Sequence, residues 1–176
     1  RKGLSVSADV AAHQLFLTDE DVDDYNANCH VRPPLRTRHD RNALRKALKN
    51  GVISTICSDH QPHDIDAKTA PFSATLAGIS ALDTLLPLTL KLVDKGILDM
   101  SAAIAAVSTA PAQVLGLGLG NLAVGATADI CIFDPNEQWQ FSEAVMVSAG
   151  KNSPFLGASF KGRVCQTIFG GKVVHG

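Results

Sequence analysis

The spacing of apolar and polar residues divides this chain into two kinds of structure. Leu4-Ser5-Val6-Ser7-Ala8-Asp9-Val10 alternates with the period of a strand, and Ala11 to Leu17 stays mostly apolar up to the acidic cluster Thr18-Asp19-Glu20-Asp21, which suits the start of a short helix or turn. From Thr37 to Asn50 the period becomes helical. Ala43, Leu44, Ala47 and Leu48 share one side, Arg and Lys form a solvated face on the others, and Asn50-Gly51 closes the helix. Val52-Ile53-Ser54-Thr55-Ile56-Cys57 follows directly, and its β-branched residues predict a strand buried on both faces, as in parallel sheets covered by helices. Strand, loop, helix and strand in that order are the repeat of a parallel α/β fold.

Ile79 to Lys95 is apolar at helical spacing, with Pro87 as an expected kink and Gly96 as a stop. A second helix is predicted from Ser101, as N-cap, to Val107, and a short third one from Ala110-Pro111 to Gly116. At about Gly118 the pattern changes. Ile130 to Phe133 reads as a short strand ended by Asp134-Pro135-Asn136, Gln138 to Phe141 alternates like an edge strand, and Arg163 to Val174 reads as a hairpin turning at Gly170-Gly171. The pattern therefore predicts an α/β part over 1–117 and a separate small β-module over 118–176.

Composition narrows the function classes. The 176 residues suit one domain, and 45% hydrophobic content is ordinary for a globular core. With 16 basic and 17 acidic residues intermixed and a net charge of -1, there is no electrostatic footprint for nucleic acid or an anionic membrane. Cys29, Cys57, Cys131 and Cys165 lie far apart without a C-x-x-C pair, so buried reduced thiols are expected rather than a zinc ribbon or disulfide framework. No run approaches the roughly 18 apolar residues of a membrane helix, and Arg1-Lys2-Gly3 leads into a strand pattern without a signal-type core; a cytoplasmic protein is expected. The absence of a cap or initiator methionine at the start gives the expectation of a chain cut from a longer one.

Chemistry concentrates where the second strand ends, at Ser58-Asp59-His60-Gln61-Pro62-His63. In α/β barrels and open α/β sheets the carboxyl ends of the strands face the ligand crevice, which makes Asp59 the first candidate for catalysis or metal binding. The alternative is that Asp59 caps a following helix and that His60 and His63 are ordinary loop histidines. His13, just past the first strand, either lines the same crevice or packs as a hydrogen-bonded core residue. Arg32 is stiffened by Pro33-Pro34 and suits forked binding of a carboxylate, against the reading of a solvated loop arginine. Asp64 to Gly78 is too irregular for an element and longer than a usual connection, as functional loops are.

Taken together these segments resemble the C-terminal portion of a dihydroorotase of the amidohydrolase superfamily, the larger bacterial type also found in multifunctional pyrimidine enzymes. Asp59-His60-Gln61-Pro62-His63 is similar to D-H-A-P-H, Val31-Arg32-Pro33-Pro34-Leu35-Arg36 to V-[NR]-P-P-L-R, and Asn152-Ser153-Pro154-Phe155-Leu156-Gly157 to N-T-P-F-x-G. Gly125-Ala126-Thr127-Ala128-Asp129-Ile130 is similar to the G-x-x-A-D-[IL] of the superfamily's β-modules. The resemblance covers nearly the whole chain. It implies the last two strands and helices of a (β/α)8 TIM barrel plus a small C-terminal β-sandwich, with zinc as cofactor. It also implies Asp59 as metal ligand and general base in the reversible hydrolysis of dihydroorotate, with Arg32, His63 and Gly78 as substrate contacts. Hydantoinases and allantoinases fit the Arg-Pro-Pro-Leu segment less well.

Departures from the family pattern point to a second outcome. T-P-H-H-L is here Ala11-Ala12-His13-Gln14-Leu15, A-P-x-G is Thr75-Leu76-Ala77-Gly78, and G-L-E-T is Ser80-Ala81-Leu82-Asp83-Thr84 with Ala81 and Asp83 changed. Such loop changes suit noncatalytic family members that serve as structural partners of aspartate transcarbamoylase. The H-x-H pair, the bridging residue and the further histidines of the family's metal site lie outside these residues. A catalytic zinc takes three protein ligands, so the chain alone is expected to be inactive. It is expected to pair with the N-terminal remainder of its barrel or with a copy of itself, because two strands cannot close a barrel.

Overall fold

The computed structural model describes residues 6–176, so Leu4 and Ser5 of the first expected strand lie outside the described residues. Asp9–Ala11 (β1) and Thr55–Cys57 (β2) pair in parallel, with Asp9 opposite Thr55, Val10 opposite Ile56 and Ala11 opposite Cys57. β2 uses only the second half of its apolar run. The amides of Val52 and Ile53 instead donate to Ala47 O, at 2.9 and 3.2 Å, and close the preceding helix, which leaves Val52 exposed. Backbone closure of a helix end has competed here with strand extension and won.

That helix, Arg38–Lys49 (α1), starts at Thr37, whose hydroxyl accepts from Asp40 N at 3.3 Å. Its basic residues are not simply a solvated face. Arg45 donates to Leu15 O at 2.7 Å, Arg41 donates to Phe16 O at 3.3 Å, and the Arg45 guanidinium lies 5.3 Å from the Phe16 ring centre. These side chains satisfy carbonyls of the turn after β1, which have no ladder to bond to.

A short helix, Asp66–Thr69 (α2), interrupts the long loop, and Leu82–Asp94 (α3) runs on through the buried Pro87. Met100–Val107 (α4) is capped by Asp99, whose carboxylate accepts from Ala102 N at 2.7 Å; Ser101 lies inside the first turn rather than at the cap. Thr109–Val114 (α5) completes the helices.

The remainder forms one antiparallel sheet in the order Ile130–Gln140 (β3), Ser159–Phe169 (β4), Lys172–His175 (β5). Asp134-Pro135-Asn136 does not end the first strand. Asn136 N donates to the Asp134 carboxylate at 2.7 Å, and the ladder to β4 shifts register between Asp134 and Gln138, so the proline sits in an irregularity of one long strand. The hairpin turns at Gly170-Gly171 as expected, with φ of 55° and 78°.

The sheet and the α/β part share a core. Val10, Leu48, Ile53, Ile56, Leu88 and Leu92 pack in one cluster with Phe141, Met146 and Phe160, and Trp139 lies at its edge. The Trp139 indole N–H donates to Gly162 O at 2.9 Å. A second cluster of Leu17, Cys29, Val31, Leu35, Ile79 and Ala81 lies under the loops. All four cysteines are free, but Cys131 and Cys165 are exposed on the sheet rather than buried. Among the described residues no helix is long and apolar enough to cross a membrane.

Candidate active site

β1 and β2 end level with each other, at Ala11 and Cys57, so the residues two positions further on, His13 and Asp59, project past equivalent strand ends. Asp59 has φ of 47°, the left-handed region that Asp tolerates better than most residues, and one that recurs at functional turns. No helix follows it directly, so it is not an N-cap. Its Oδ1 accepts from Gln61 Nε2 at 2.9 Å, and its Oδ2 has no hydrogen-bond partner among the described residues.

His13 is 1% exposed and neither ring nitrogen has a hydrogen-bond partner among the described residues. Burial lowers its pKa from 6.5 to about 4, against an opposing pull from the Asp59 charge, so the ring is neutral at physiological pH. Beside it, the Cys57 thiol donates to Asp9 Oδ2 at 3.2 Å and is pushed up to about 11, first by burial and then by that carboxylate. Burial and the neighbouring carboxylate thus both disfavour the Cys57 thiolate.

Past Asp59 the loop is tied to three other segments. His60 pairs with Ile79, and its Nδ1 accepts from the backbone N–H groups of Ala81 and Leu82 at the start of α3. His63 N donates to Asn152 Oδ1 at 2.8 Å, and His63 Nε2 lies 2.9 Å from Ala77 O, to which it can only donate. His63 Nδ1 is left as an acceptor in the neutral ring. Gly78, expected as a substrate contact, has both backbone groups committed. Its N–H donates to His30 O at 2.8 Å, and its carbonyl accepts from Lys68 Nζ at 2.9 Å and Asn152 Nδ2 at 3.1 Å. The neighbouring Ala77 N–H has no partner among the described residues and is the freer donor.

Arg32 is exposed and lines a cavity of about 320 Å³ with Val22, Cys29, His30, Leu35 and Phe72. His30 Nδ1 is held 2.7 Å from Thr75 Oγ1, and burial, aided by the positive charges of Lys68 and Arg32, lowers the pKa of its ring. His63 lines a different cavity, of about 500 Å³, with Pro62, Asp64, Asp66 and Gly150. The structure thus joins His63 to Gly78, places Arg32 across the His30–Gly78 bond from them, and sets Asp59 beside His13. Arg32 and His63 do not share one concavity.

Among the described residues no group of three His, Cys, Asp or Glu could hold a metal ion. Asp59 keeps one carboxylate oxygen free and His13 two unpartnered ring nitrogens, both donor groups of the kind that ligate metals, at neighbouring strand ends. Sequence reasoning gave no role to Lys68 or Asn152. Asn152 stood inside a recognised motif, whereas Lys68 left no signal, because the carbonyls it binds can come from any residue type.

Residues 4–174 match the amidohydrolase family. The chain is 50% identical over 174 residues to a dihydroorotase-like protein of Pseudomonas aeruginosa, covering 99% of this chain and 41% of that protein. It is 44% identical over 173 residues to a dihydroorotase of Trichlorobacter lovleyi, covering 98% of this chain and 41% of that one. Among solved structures it superposes on the L-hydantoinase (dihydropyrimidinase) of Arthrobacter aurescens with a TM-score of 0.90 at 29% identity, over 97% of this chain and 39% of that one. The chain therefore spans about two fifths of the length of the curated relatives it matches.

Proposed function

The chain belongs to the amidohydrolase family, and from that premise we propose that it is the C-terminal part of a dihydroorotase-like enzyme that reversibly hydrolyses dihydroorotate to N-carbamoyl-aspartate in pyrimidine biosynthesis. The observation that carries this reading is Asp59, held in a left-handed turn two residues past a parallel strand, level with His13 and with one carboxylate oxygen free. α/β barrels put their chemistry at that end. The same proposal includes a (β/α)8 barrel completed by the rest of the polypeptide around 1–117, a β-sandwich module built around 118–176, and a cytoplasmic location.

Zinc is the metal this reading implies; Asp59 would be one of its ligands, and the ion when bound supplies a water that loses its proton near neutral pH. On that reading the Asp59 carboxylate, with one oxygen free, would take up the proton of the attacking water. It returns the proton to the ring nitrogen as the C–N bond breaks, and so ends the cycle ionised as it began. Arg32 presents a fork to the substrate carboxylate. His63 opens on a separate cavity, so it would meet that carboxylate only where the substrate bridges the two, and with Nε2 tied to Ala77 O it would donate there only as an imidazolium, through Nδ1. The Ala77 N–H takes the donor role that Gly78 has surrendered.

Dihydroorotate hydrolysis by the complete polypeptide, with its zinc content measured, tests the reading. Turnover that is lost in D59N supports it, and a zinc-loaded protein without turnover overturns it. The full commitment of Gly78 favours a second reading, a noncatalytic subunit that assembles with aspartate transcarbamoylase. Co-elution with that enzyme, without dihydroorotate turnover in the complex, is its signature; self-association would appear in the same experiment.

A further inference from the structure

We infer that Lys68 and Asn152 form a two-residue clamp that positions the crevice loops. Irregular loops have no ladder to bond their carbonyls, and several carbonyl oxygens converging on one point repel one another unless a cation or a donor sits between them. Lys68 supplies the cation. Its Nζ donates to Ala27 O at 3.0 Å, Leu76 O at 2.7 Å and Gly78 O at 2.9 Å, which uses all three ammonium hydrogens. Burial lowers its pKa from the ordinary lysine value, whereas three accepting carbonyls favour the protonated ammonium.

Asn152 does the same from the opposite side. It is 6% exposed, accepts from His63 N at 2.8 Å, and donates to Gln61 O at 3.0 Å and Gly78 O at 3.1 Å. The two side chains meet at Gly78 O. Together they tie the turn leading to His30 and Arg32, the Leu76–Gly78 strap and the Gln61–His63 turn into one unit. Backbone bonds already link these loops, from Gly78 N to His30 O and from Gln61 N to Ile79 O, both at 2.8 Å, and the two side chains brace that link from either side of Gly78, between the separate loops that carry Arg32 and His63.

The functional half of this inference rests on the proposed dihydroorotase reading, whereas the structural half does not, and the experiment separates them. Amide hydrogen exchange is measured on the complete polypeptide without ligand, for the wild type, K68M and N152D. K68M should speed exchange at His30, Gly78 and Gln61 by about tenfold or more while α1 and β2 keep their protection. N152D preserves shape and the acceptor facing His63 but loses both donors. It should loosen Gln61 and Gly78 and leave His30 protected, and it decides the matter if K68M does not fold. Unchanged loop exchange, or equal acceleration across α1 and β2, overturns the clamp. If the wild type turns over dihydroorotate, K68M should raise KM more than it lowers kcat; a fall in kcat alone overturns the positioning role. Loosened loops in a protein inert toward dihydroorotate would leave the clamp standing and remove the enzymatic reading.

Discussion

His60 Nδ1 accepts hydrogen bonds from Ala81 N at 3.0 Å and Leu82 N at 3.2 Å, so a side chain from the end of β2 caps α3 from outside the helix. The helix has no cap of its own, since Ala81 stands at the N-cap position without a bonding side chain. Replacing His60 by Leu leaves two helix-start donors unpaired and should destabilise the fold by about 1–2 kcal/mol. Chemical denaturation of the two proteins side by side checks this, and equal midpoints would show that solvent caps the helix as well.

The neutral, buried His13 predicts an acid-sensitive fold. Its pKa is about 4 in the folded chain and 6.5 when exposed, so between those values the unfolded chain binds a proton that the folded chain refuses. Stability contributed by this site is complete above pH 6.5 and is lost as pH falls to about 4, by about 3 kcal/mol in all. Urea unfolding with a chelator present, at steps from pH 7 to pH 4, should show the decline, and H13Q should flatten it.

On the proposed reaction, D59N should retain the fold, because Asn also tolerates the left-handed backbone, and should lower dihydroorotate turnover by about 10²- to 10⁴-fold. Circular dichroism and a hydrolysis assay on the same preparation separate these two effects. Retained turnover would remove Asp59 from the chemistry.

Gly78 leaves no space for a side chain. Its φ is 139°, and an added Cβ would lie 2.5 Å from Gln61 Cβ. G78A should therefore destabilise the chain by about 1–3 kcal/mol and part the strap from the Gln61–His63 turn. A melting-temperature drop together with faster exchange at Gln61 N–H is the expected pair of results.

The parallel pairing of β1 with β2, the helix between them and the carboxylate at the strand end were all legible in the sequence, because periodicity and β-branched runs report burial directly. What was not legible depends on partners far away in the chain. Arg41 and Arg45 look like a solvated face until Leu15 and Phe16 carbonyls arrive beside them, and Lys68 looks like any loop lysine until three carbonyls surround it. Pro135 reads as a terminator because a proline cannot join a ladder, yet a register shift let the strand continue past it. Asp99 caps α4 where Ser101 was expected, a choice between two good caps that only the helix's own start decides.

Trp139 is the chain's only tryptophan, and it sits where the sheet meets α3, its ring centre 5.9 Å from Phe141 and 5.7 Å from Phe160. Its fluorescence is consequently an intrinsic probe of that seam alone. A red shift on mild denaturation that precedes the loss of helical signal would mark the sheet peeling away first; a coincident shift would mark the two parts melting as one.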